Sequence, residues 1–175
     1  MRTVTKIAAC VTSVMLFTTP AMAQQTSTNK VAEKTDWSVF VETNPKECWS
    51  VSQPKETVNT RNGRVVAVRR GEILLYTFYR PSDKVNGQVA FTGGYPFAKD
   101  STVTLSVGSS TYNLFTQGDW AWAASDADDD KIIAAMKRGA KATLVGRSSK
   151  GTKTEDTFSL SGFTAAVEDA EKRCK

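Results

Sequence analysis

Cysteine usage constrains this chain more than any other feature of its sequence. The 175 residues contain three cysteines, and the first of them, Cys10, lies in a segment with the pattern of a signal peptide. Removal of that segment leaves Cys48 and Cys174, which have only one possible pairing. Their bridge closes a loop of about 126 residues and, in the chain-entropy model, removes denatured-state entropy worth about 5 kcal/mol. We therefore predict a structural disulfide between Cys48 and Cys174.

The first 23 residues predict export from the cytoplasm. A basic n-region precedes an apolar run at residues 7–17, and small residues mark a cleavage site after Ala23. The apolar run is too short to span a bilayer, and no later segment is long and apolar enough to do so. A lipidation box ending at Cys10 is the alternative, but only three apolar residues precede that cysteine. We expect a periplasmic or secreted protein that is not transmembrane, in a compartment where disulfides persist.

Composition argues against several classes of chemistry. The chain has no histidine, so Ser-His-Asp and Cys-His arrangements are absent, and we predict no catalytic residue, metal or cofactor. Ser52-Gln53-Pro54-Lys55 matches the Ser-x-x-Lys motif of penicillin-binding enzymes, but the companion motifs are missing. The net charge of +5 includes two basic residues of the signal peptide. A mildly basic mature domain permits contact with an anionic envelope surface without requiring it, and no nucleic-acid partner is predicted.

Short segments of alternating polarity predict a mainly β fold. About ten strands follow one another between residues 36 and 159, with a strong hairpin signal at Asn62-Gly63. Residues 72–79 are apolar on both alternations, which predicts a central strand buried on both faces. This spacing is typical of an antiparallel β-sandwich or barrel-like domain. Residues 24–35 are polar and unpatterned, so we expect a flexible leader followed by a single β-rich domain at 36–175.

One of two predicted helices interrupts the strands at about 127–138. Four aspartates, at positions 126, 128, 129 and 130, precede its apolar residues, and two basic residues and Gly139 end it. Acids at the start and bases at the end suit the helix dipole, and glycine is a common helix stop. The alternative is a calcium loop, but the EF-hand spacing is absent. We therefore predict that the aspartates favour the helix N-terminus.

The second predicted helix, at about 162–173, carries the last cysteine. Phe163, Val167 and Cys174 fall on one face at 100° per residue, while most of the charged side chains lie elsewhere. Ser161 precedes the run as the expected N-cap. Because the cysteine shares the apolar face, we expect it to point toward the body of the protein.

Several segments together resemble a known family. They are ECWSVSQP, GGYPF, DWAWAASDADDDKIIAAMKRG, GRSSKGTKTEDTFSLSGFTAAVEDA and the final Cys174. In this order, and over nearly the whole chain from about Trp37, they resemble the invasion-associated locus B family of alphaproteobacterial envelope proteins. The resemblance implies an exported, mostly β domain with a disulfide, and a role in host-cell entry that is only loosely attached to the fold. Some relatives carry a further cysteine where this chain has Phe40 and Val41, so a second bridge is not expected.

The first candidate binding surface is basic. Arg61, Arg64, Arg69 and Arg70 cluster around the predicted hairpin and the turn that follows it. Such a cluster suits anionic lipopolysaccharide, phospholipid headgroups or an acidic partner. The alternative is ordinary charge on an edge strand, which prevents pairing with other chains.

The second candidate surface is aromatic. It comprises Tyr95, in a Tyr-Pro-Phe segment, together with Trp120 and Trp122. The two tryptophans are two residues apart, so they share one face of a strand. The alternative is core packing. If the face is exposed, it suits a sugar or a peptide.

The residues and the resemblance together favour one function. We expect a non-catalytic exported cell-envelope binding or interaction module, linked to host-cell or surface interaction. The two alternatives are a structural periplasmic protein without a ligand and an envelope hydrolase without histidine. The partner is unknown, and an anionic envelope component or another envelope protein fits best.

Overall fold

The computed structural model describes residues 29–175. The predicted signal peptide at 1–23 and residues 24–28 of the predicted leader lie outside this range. The described helices are α1 (Asp126–Arg138) and α2 (Phe163–Cys174). The described strands are β1 (Lys30–Lys34), β2 (Trp37–Thr43), β3 (Lys46–Ser52), β4 (Glu56–Arg61), β5 (Arg64–Val65), β6 (Leu74–Arg80), β7 (Val85–Thr92), β8 (Thr102–Val107), β9 (Ser110–Gln117), β10 (Trp120–Trp122), β11 (Lys141–Arg147) and β12 (Lys153–Ser159).

The twelve described strands form one continuous antiparallel sheet. Their order across it is β1-β2-β3-β6-β7-β10-β9-β8-β11-β12-β4-β5, so β1 and β5 are the two edges. The prediction of a mainly β, antiparallel domain with two helices is confirmed, with twelve strands in place of about ten. The hairpin at Asn62-Gly63 is also present, since β4 pairs with β5 across it.

The sheet curls so that distant strands meet across an interior. Phe91 on β7 packs edge-on against Phe158 on β12, with ring centroids 6.1 Å apart, although four strands separate β7 from β12 in the sheet. The Trp37 indole on β2 donates a hydrogen bond to the Ser159 carbonyl at the end of β12, at 3.0 Å. This curl gives one sheet the two-walled interior expected of a sandwich or barrel-like domain, with a single hydrophobic core inside it.

Helix α1 forms where the sequence predicts it. Ser125 is its N-cap, and its hydroxyl accepts a hydrogen bond from the Asp128 amide at 3.3 Å. Asp126 and Asp128 lie in the exposed first turn, where negative charge suits the helix dipole. Asp129 differs from its neighbours because it is buried, and its carboxylate accepts a hydrogen bond from the Val89 amide of β7 at 2.7 Å. It thereby fastens the helix to the sheet.

Helix α2 begins differently from the prediction, although its range agrees. The N-cap is Gly162 and not Ser161, and no side chain caps the helix. Gly162 has a φ of 88°, a conformation that glycine adopts at little cost. A Cβ atom there would overlap the Lys34 carbonyl oxygen, so the close approach of β1 also requires glycine. Phe163 then packs edge-on against Trp37, with ring centroids 4.8 Å apart.

The disulfide joins Cys48 on β3 to Cys174 at the end of α2, as predicted. The two Cα atoms are 5.8 Å apart, within the usual range for a bridge. Both cysteines are buried. The bond therefore fastens α2 onto the inner face of the sheet.

The prediction of a flexible leader is wrong for residues 30–34. These residues form β1, which pairs antiparallel with β2. The pairing uses main-chain groups, which a polar segment possesses as fully as an apolar one, and Ala32 packs against the core. A polar edge strand carries little of the apolar alternation on which strand prediction depends.

Candidate binding groove

Neighbouring side chains of the central strands point to opposite faces of the sheet. On β3, Cys48 and Ser50 are fully buried in the interior, whereas Trp49 between them and Val51 after them are only half-buried. This alternation follows from the pleat of a β-strand. Within residues 29–175, both helices pack on the inner face, α2 through its bond to Cys48 and α1 through Asp129. None of the described helices packs on the outer face of β3 and β6.

Six aromatic side chains lie on this outer face in unbroken contact. We call them the aromatic row: Phe40, Trp49, Phe78, Tyr76, Trp120 and Trp122. Successive ring centroids are 5.4, 6.3, 4.9, 5.5 and 5.4 Å apart. The register of the sheet creates the row, because Trp49 on β3 is opposite both Phe40 on β2 and Phe78 on β6. Such contacts stabilise ring pairs beyond the area that they bury.

The row is only partly covered by the protein itself. Phe78 is buried at 8% exposure, and the other five rings are half-buried. The prediction that Trp120 and Trp122 share a face is confirmed, since they stack with an interplanar angle of 22°. They lie on the outer face and not in the core. The expectation for residues 72–79 needs the same correction, because Tyr76 on β6 is half-exposed and faces outward.

A groove of about 940 Å³ lies over five members of the row. Its floor contains the aromatic row from Phe40 to Trp120, with Val51 and Leu74 beside it. Gln53, Pro54 and Lys55, between β3 and β4, form part of its rim. The volume is within the range of small-molecule and peptide pockets, which are apolar with a few polar groups at defined positions.

The rim of the groove is mainly acidic. Among residues 29–175, the charged residues that line it are the acids Glu33, Asp36, Glu47 and Glu72 and the base Lys55. Asp36 pairs with Lys55 at 2.6 Å, and this hydrogen bond lowers the pKa of the Asp36 carboxyl. Burial, together with the nearby Glu72 carboxylate, raises the pKa of Tyr76 to about 12. Tyr76 therefore keeps its proton at neutral pH.

One guanidinium of the chain already lies on the aromatic row. The Arg80 guanidinium carbon is 4.6 Å from the centroid of the Phe78 ring. Its Nε donates a hydrogen bond to a Glu47 carboxylate oxygen at 2.6 Å, and its Nη1 donates to Gln88 at 3.0 Å. The ring and the carboxylate together hold the cation.

The basic cluster predicted from the sequence is smaller in the structure. Arg61, Arg64 and Arg69 are exposed beside the sheet edge formed by β5, but Arg70 is not. The Arg70 side chain is 6% exposed and forms two hydrogen bonds of 2.7 and 2.6 Å with Asp156, whose side chain is fully buried. Burial raises the pKa of the Asp156 carboxyl, and the guanidinium opposes that rise. The prediction of Arg70 as a surface binding residue is therefore wrong.

Tyr95 also does not lie on the aromatic surface that the sequence predicted. Its ring packs edge-on against Phe97 at 5.0 Å and lies 5.1 Å from the Arg70 guanidinium carbon. Its hydroxyl hydrogen-bonds Thr154 of β12, and burial raises the pKa of the Tyr95 hydroxyl. Tyr95 therefore supports the buried ion pair of Arg70 and does not join the tryptophans on the outer face.

Residue-level reasoning missed four members of the row: Phe40, Trp49, Tyr76 and Phe78. Alternation within β2, β3 and β6 shows which side chains share a face of one strand. It does not give the order of strands in the sheet, which brings those faces together. The signal available was the aromatic content of three predicted strands.

The Ser-x-x-Lys motif is held by local contacts beside the groove. The Ser52 hydroxyl donates to the Asp36 carbonyl oxygen at 2.7 Å, while the Lys55 ammonium pairs with the Asp36 carboxylate. Ser52 and Lys55 thus both bind Asp36, the residue that precedes β2. Within residues 29–175, no group of three or more potential ligands could hold a metal ion. No helix in that range is long and apolar enough to cross a membrane.

Fold and groove together define a class of protein: a disulfide-fastened antiparallel β domain with helices on one face and an aromatic groove on the other. The chain belongs to the Invasion associated locus B (IalB) protein family, whose model matches residues 37–171. The resemblance noted in the sequence is thereby confirmed. The crystal structure of invasion associated protein B from Bartonella henselae is similar in fold, with a TM-score of 0.54 and 18% sequence identity. The match covers 79% of this chain and 94% of that one. No curated protein matches the chain in sequence.

Proposed function

We propose that this chain is a non-catalytic, exported cell-envelope binding module and that the groove is its binding surface. The observation that carries the proposal is the aromatic row, six rings in contact on a sheet face that no helix covers within the described residues. Contiguous apolar surface of this kind marks interaction sites in soluble proteins. Aromatic side chains also supply most of the binding energy at many interfaces.

The signal-peptide pattern and the disulfide support export. Residues 1–23 have the three regions of a signal peptide, and a bond between Cys48 and Cys174 suits an oxidising compartment. These two features support periplasmic or secreted localisation. The Bartonella henselae protein of similar fold is named as invasion associated, and we propose interaction at a cell surface as the corresponding context here.

Two features support a binding role without catalysis. The chain has no histidine, and the Ser52 hydroxyl and the Lys55 ammonium are both engaged with Asp36. The carboxylates of Glu33, Asp36 and Glu47 in the groove are also engaged, each with a basic side chain. Side chains in such pairs position the rim of the groove.

Retention experiments with matched variants test the proposal. The protein is purified from the periplasm, immobilised and exposed to envelope extract as wild type, as the double variant Trp49→Ala/Trp120→Ala, and as Phe115→Ala. Phe115 is the control because it is 47% exposed on the outer face but does not line the groove. We expect a component that wild type and Phe115→Ala retain and that the double variant retains at least about tenfold less.

Equal retention by the double variant would contradict the groove as the binding surface. The fold of each variant is checked by its disulfide content and its far-UV circular dichroism. If neither wild type nor any variant retains a component above background, the result would favour the alternative of a structural protein without a ligand.

A further inference from the structure

Among the described residues, all but one of the acidic side chains that line the groove are paired with a basic side chain. Glu33 pairs with Lys30, Asp36 with Lys55 and Glu47 with Arg80, at 2.7, 2.6 and 2.6 Å. Glu72 is the fourth carboxylate of the rim. It is exposed, and within residues 29–175 it forms no ion pair or hydrogen bond. The groove therefore has one local excess of negative charge, at the end formed by Glu72.

Phe78, in the middle of the row, shows how this surface holds a cation. There the Arg80 guanidinium lies over Phe78 and bonds to Glu47. A cation over an aromatic face is attracted by the ring, and a carboxylate at the edge adds a charge-assisted hydrogen bond. The chain thus contains a complete example of a guanidinium bound between a ring of the row and a rim carboxylate.

The end near Glu72 repeats the same chemistry. Tyr76 and Trp120 are in contact there, with ring centroids 5.5 Å apart, and both line the groove together with Glu72. The two rings and the carboxylate therefore line one groove.

The geometry favours a guanidinium over other cations. Tyr76 on β6 and Trp120 on β10 project from one sheet face, on either side of β7, so they present a surface and not an enclosing cage. A planar guanidinium stacks on such a surface and directs its N–H groups to a carboxylate at the edge. A quaternary ammonium has no hydrogen to donate and is bound by aromatic residues that surround it.

We propose that the groove binds an extended segment of a partner protein that carries an arginine, with the guanidinium over Tyr76 and Trp120 and paired with Glu72. Apolar side chains of the same segment cover the row toward Trp49 and Phe40, because the groove of about 940 Å³ is much larger than one arginine side chain. The inference rests on the proposed function, since it assigns a ligand class to the same groove. Charge complementarity with Glu72 selects the basic residue, and the apolar floor selects its neighbours.

Titration with matched peptides tests the inference. The probes are the acetylated, amidated peptide of sequence LRLSL and its analogue with citrulline in place of arginine, which keeps the shape and removes the charge. Binding to the exported protein is followed by calorimetry. We expect the arginine peptide to bind wild type about tenfold more tightly than the citrulline peptide. In Glu72→Gln this ratio falls to near one, whereas in Trp120→Ala both peptides lose affinity.

Glu155→Gln is the matched control. Glu155 is an exposed glutamate on β12 that does not line the groove, so its variant keeps the tenfold ratio. Equal affinity of the two peptides for wild type, or an unchanged ratio in Glu72→Gln, would overturn the arginine assignment.

The outcomes also separate this inference from the proposed function. Suppose that neither peptide binds, while an envelope component is still lost in Trp49→Ala/Trp120→Ala. The ligand assignment then fails and the binding surface stands. Binding of a neutral oligosaccharide or of phosphatidylcholine vesicles at the groove, without peptide binding, has the same meaning. If neither the peptides nor any envelope component distinguishes wild type from the double variant, both proposals fail.

Discussion

The two faces of β3 and β6 have very different surroundings. On the inner face, Cys48 and Leu75 are fully buried beneath the core and α2. On the outer face, Trp49 and Tyr76 are half-buried and line a groove. Burial is what converts apolar surface into stability. The comparison teaches that the inner face fixes the fold, whereas the outer face retains apolar surface that another molecule can cover.

The largest expected difference between the faces is in tryptophan truncation. Trp37 is fully buried and hydrogen-bonded to Ser159, so Trp37→Ala should lower the free energy of unfolding by about 3–5 kcal/mol. Trp49→Ala removes a half-exposed ring from the outer face and should cost only about 1 kcal/mol. Urea denaturation of both variants gives the two values. Equal losses would mean that the outer row is as much a part of the core as Trp37.

Loss of the disulfide should have the next largest effect on the inner face. Cys174→Ser should cost about 2–5 kcal/mol, the usual value for a native bridge. Helix α2 should then exchange its amide hydrogens before the sheet does, because its fastening to β3 is gone. Hydrogen exchange followed by mass spectrometry measures the order. Reduced wild type is the control and should behave in the same way, and uniform exchange across the protein would show that α2 does not open separately.

The buried Asp129 makes the inner face sensitive to pH. Burial raises the pKa of this carboxyl from 3.8 to about 6, so the folded protein binds the proton more tightly than the unfolded chain. The contribution to stability is full below about pH 4 and is lost as the pH rises through about 6, with a total of about 2–3 kcal/mol for a shift of this size. Asp129→Asn removes this dependence.

Paired measurements isolate that effect from other titrating groups. The pKa values of Asp36 and Asp169 are lowered by basic partners, and their contributions change with pH in the opposite direction. The difference in unfolding free energy between Asp129→Asn and wild type should therefore be followed from pH 4 to pH 7. We expect this difference to rise in favour of the variant, and a constant difference would contradict the assignment.

The smallest expected change in stability belongs to the exposed basic edge. Changing Arg61, Arg64 and Arg69 together to glutamine should alter the unfolding free energy by less than about 1 kcal/mol, because exposed charges contribute little. We propose that these arginines contact anionic lipid, so the variant should sediment less with phosphatidylglycerol vesicles. Wild-type binding should fall as salt is added.

Arg70→Gln is the contrasting variant for that experiment. It leaves the Asp156 carboxylate buried without its partner and should cost about 3–5 kcal/mol. Equal vesicle binding by wild type and the triple variant would leave only protection of the β5 edge as the role of the three arginines.

Local patterns carried enough information for both helices and most strands, but too little for the polar edge strand β1 and for the surfaces. The ranges of α1 and α2 followed from helical periodicity and charge, and the shared face of Trp120 and Trp122 followed from the alternation of a strand. The pair Arg70–Asp156 spans 86 residues of sequence, so no local pattern around either residue predicts it. The aromatic row likewise depends on sheet order, which places β10 beside β7 and β3 beside β6. The ion pair and the aromatic row both depend on contacts between segments that are distant in sequence.

The connection of early to late segments determines when the molecule can be completed during synthesis. Cys48 and β4 leave the ribosome well before their partners, since β4 pairs with β12 and Cys48 bonds to a residue 126 positions later. Until α2 has been made, the thiol of Cys48 has no native partner, and one side of β4 lacks its neighbour. Folding of such nonlocal topologies is intrinsically slow. A chain cut short before α2 would therefore retain a free thiol at Cys48.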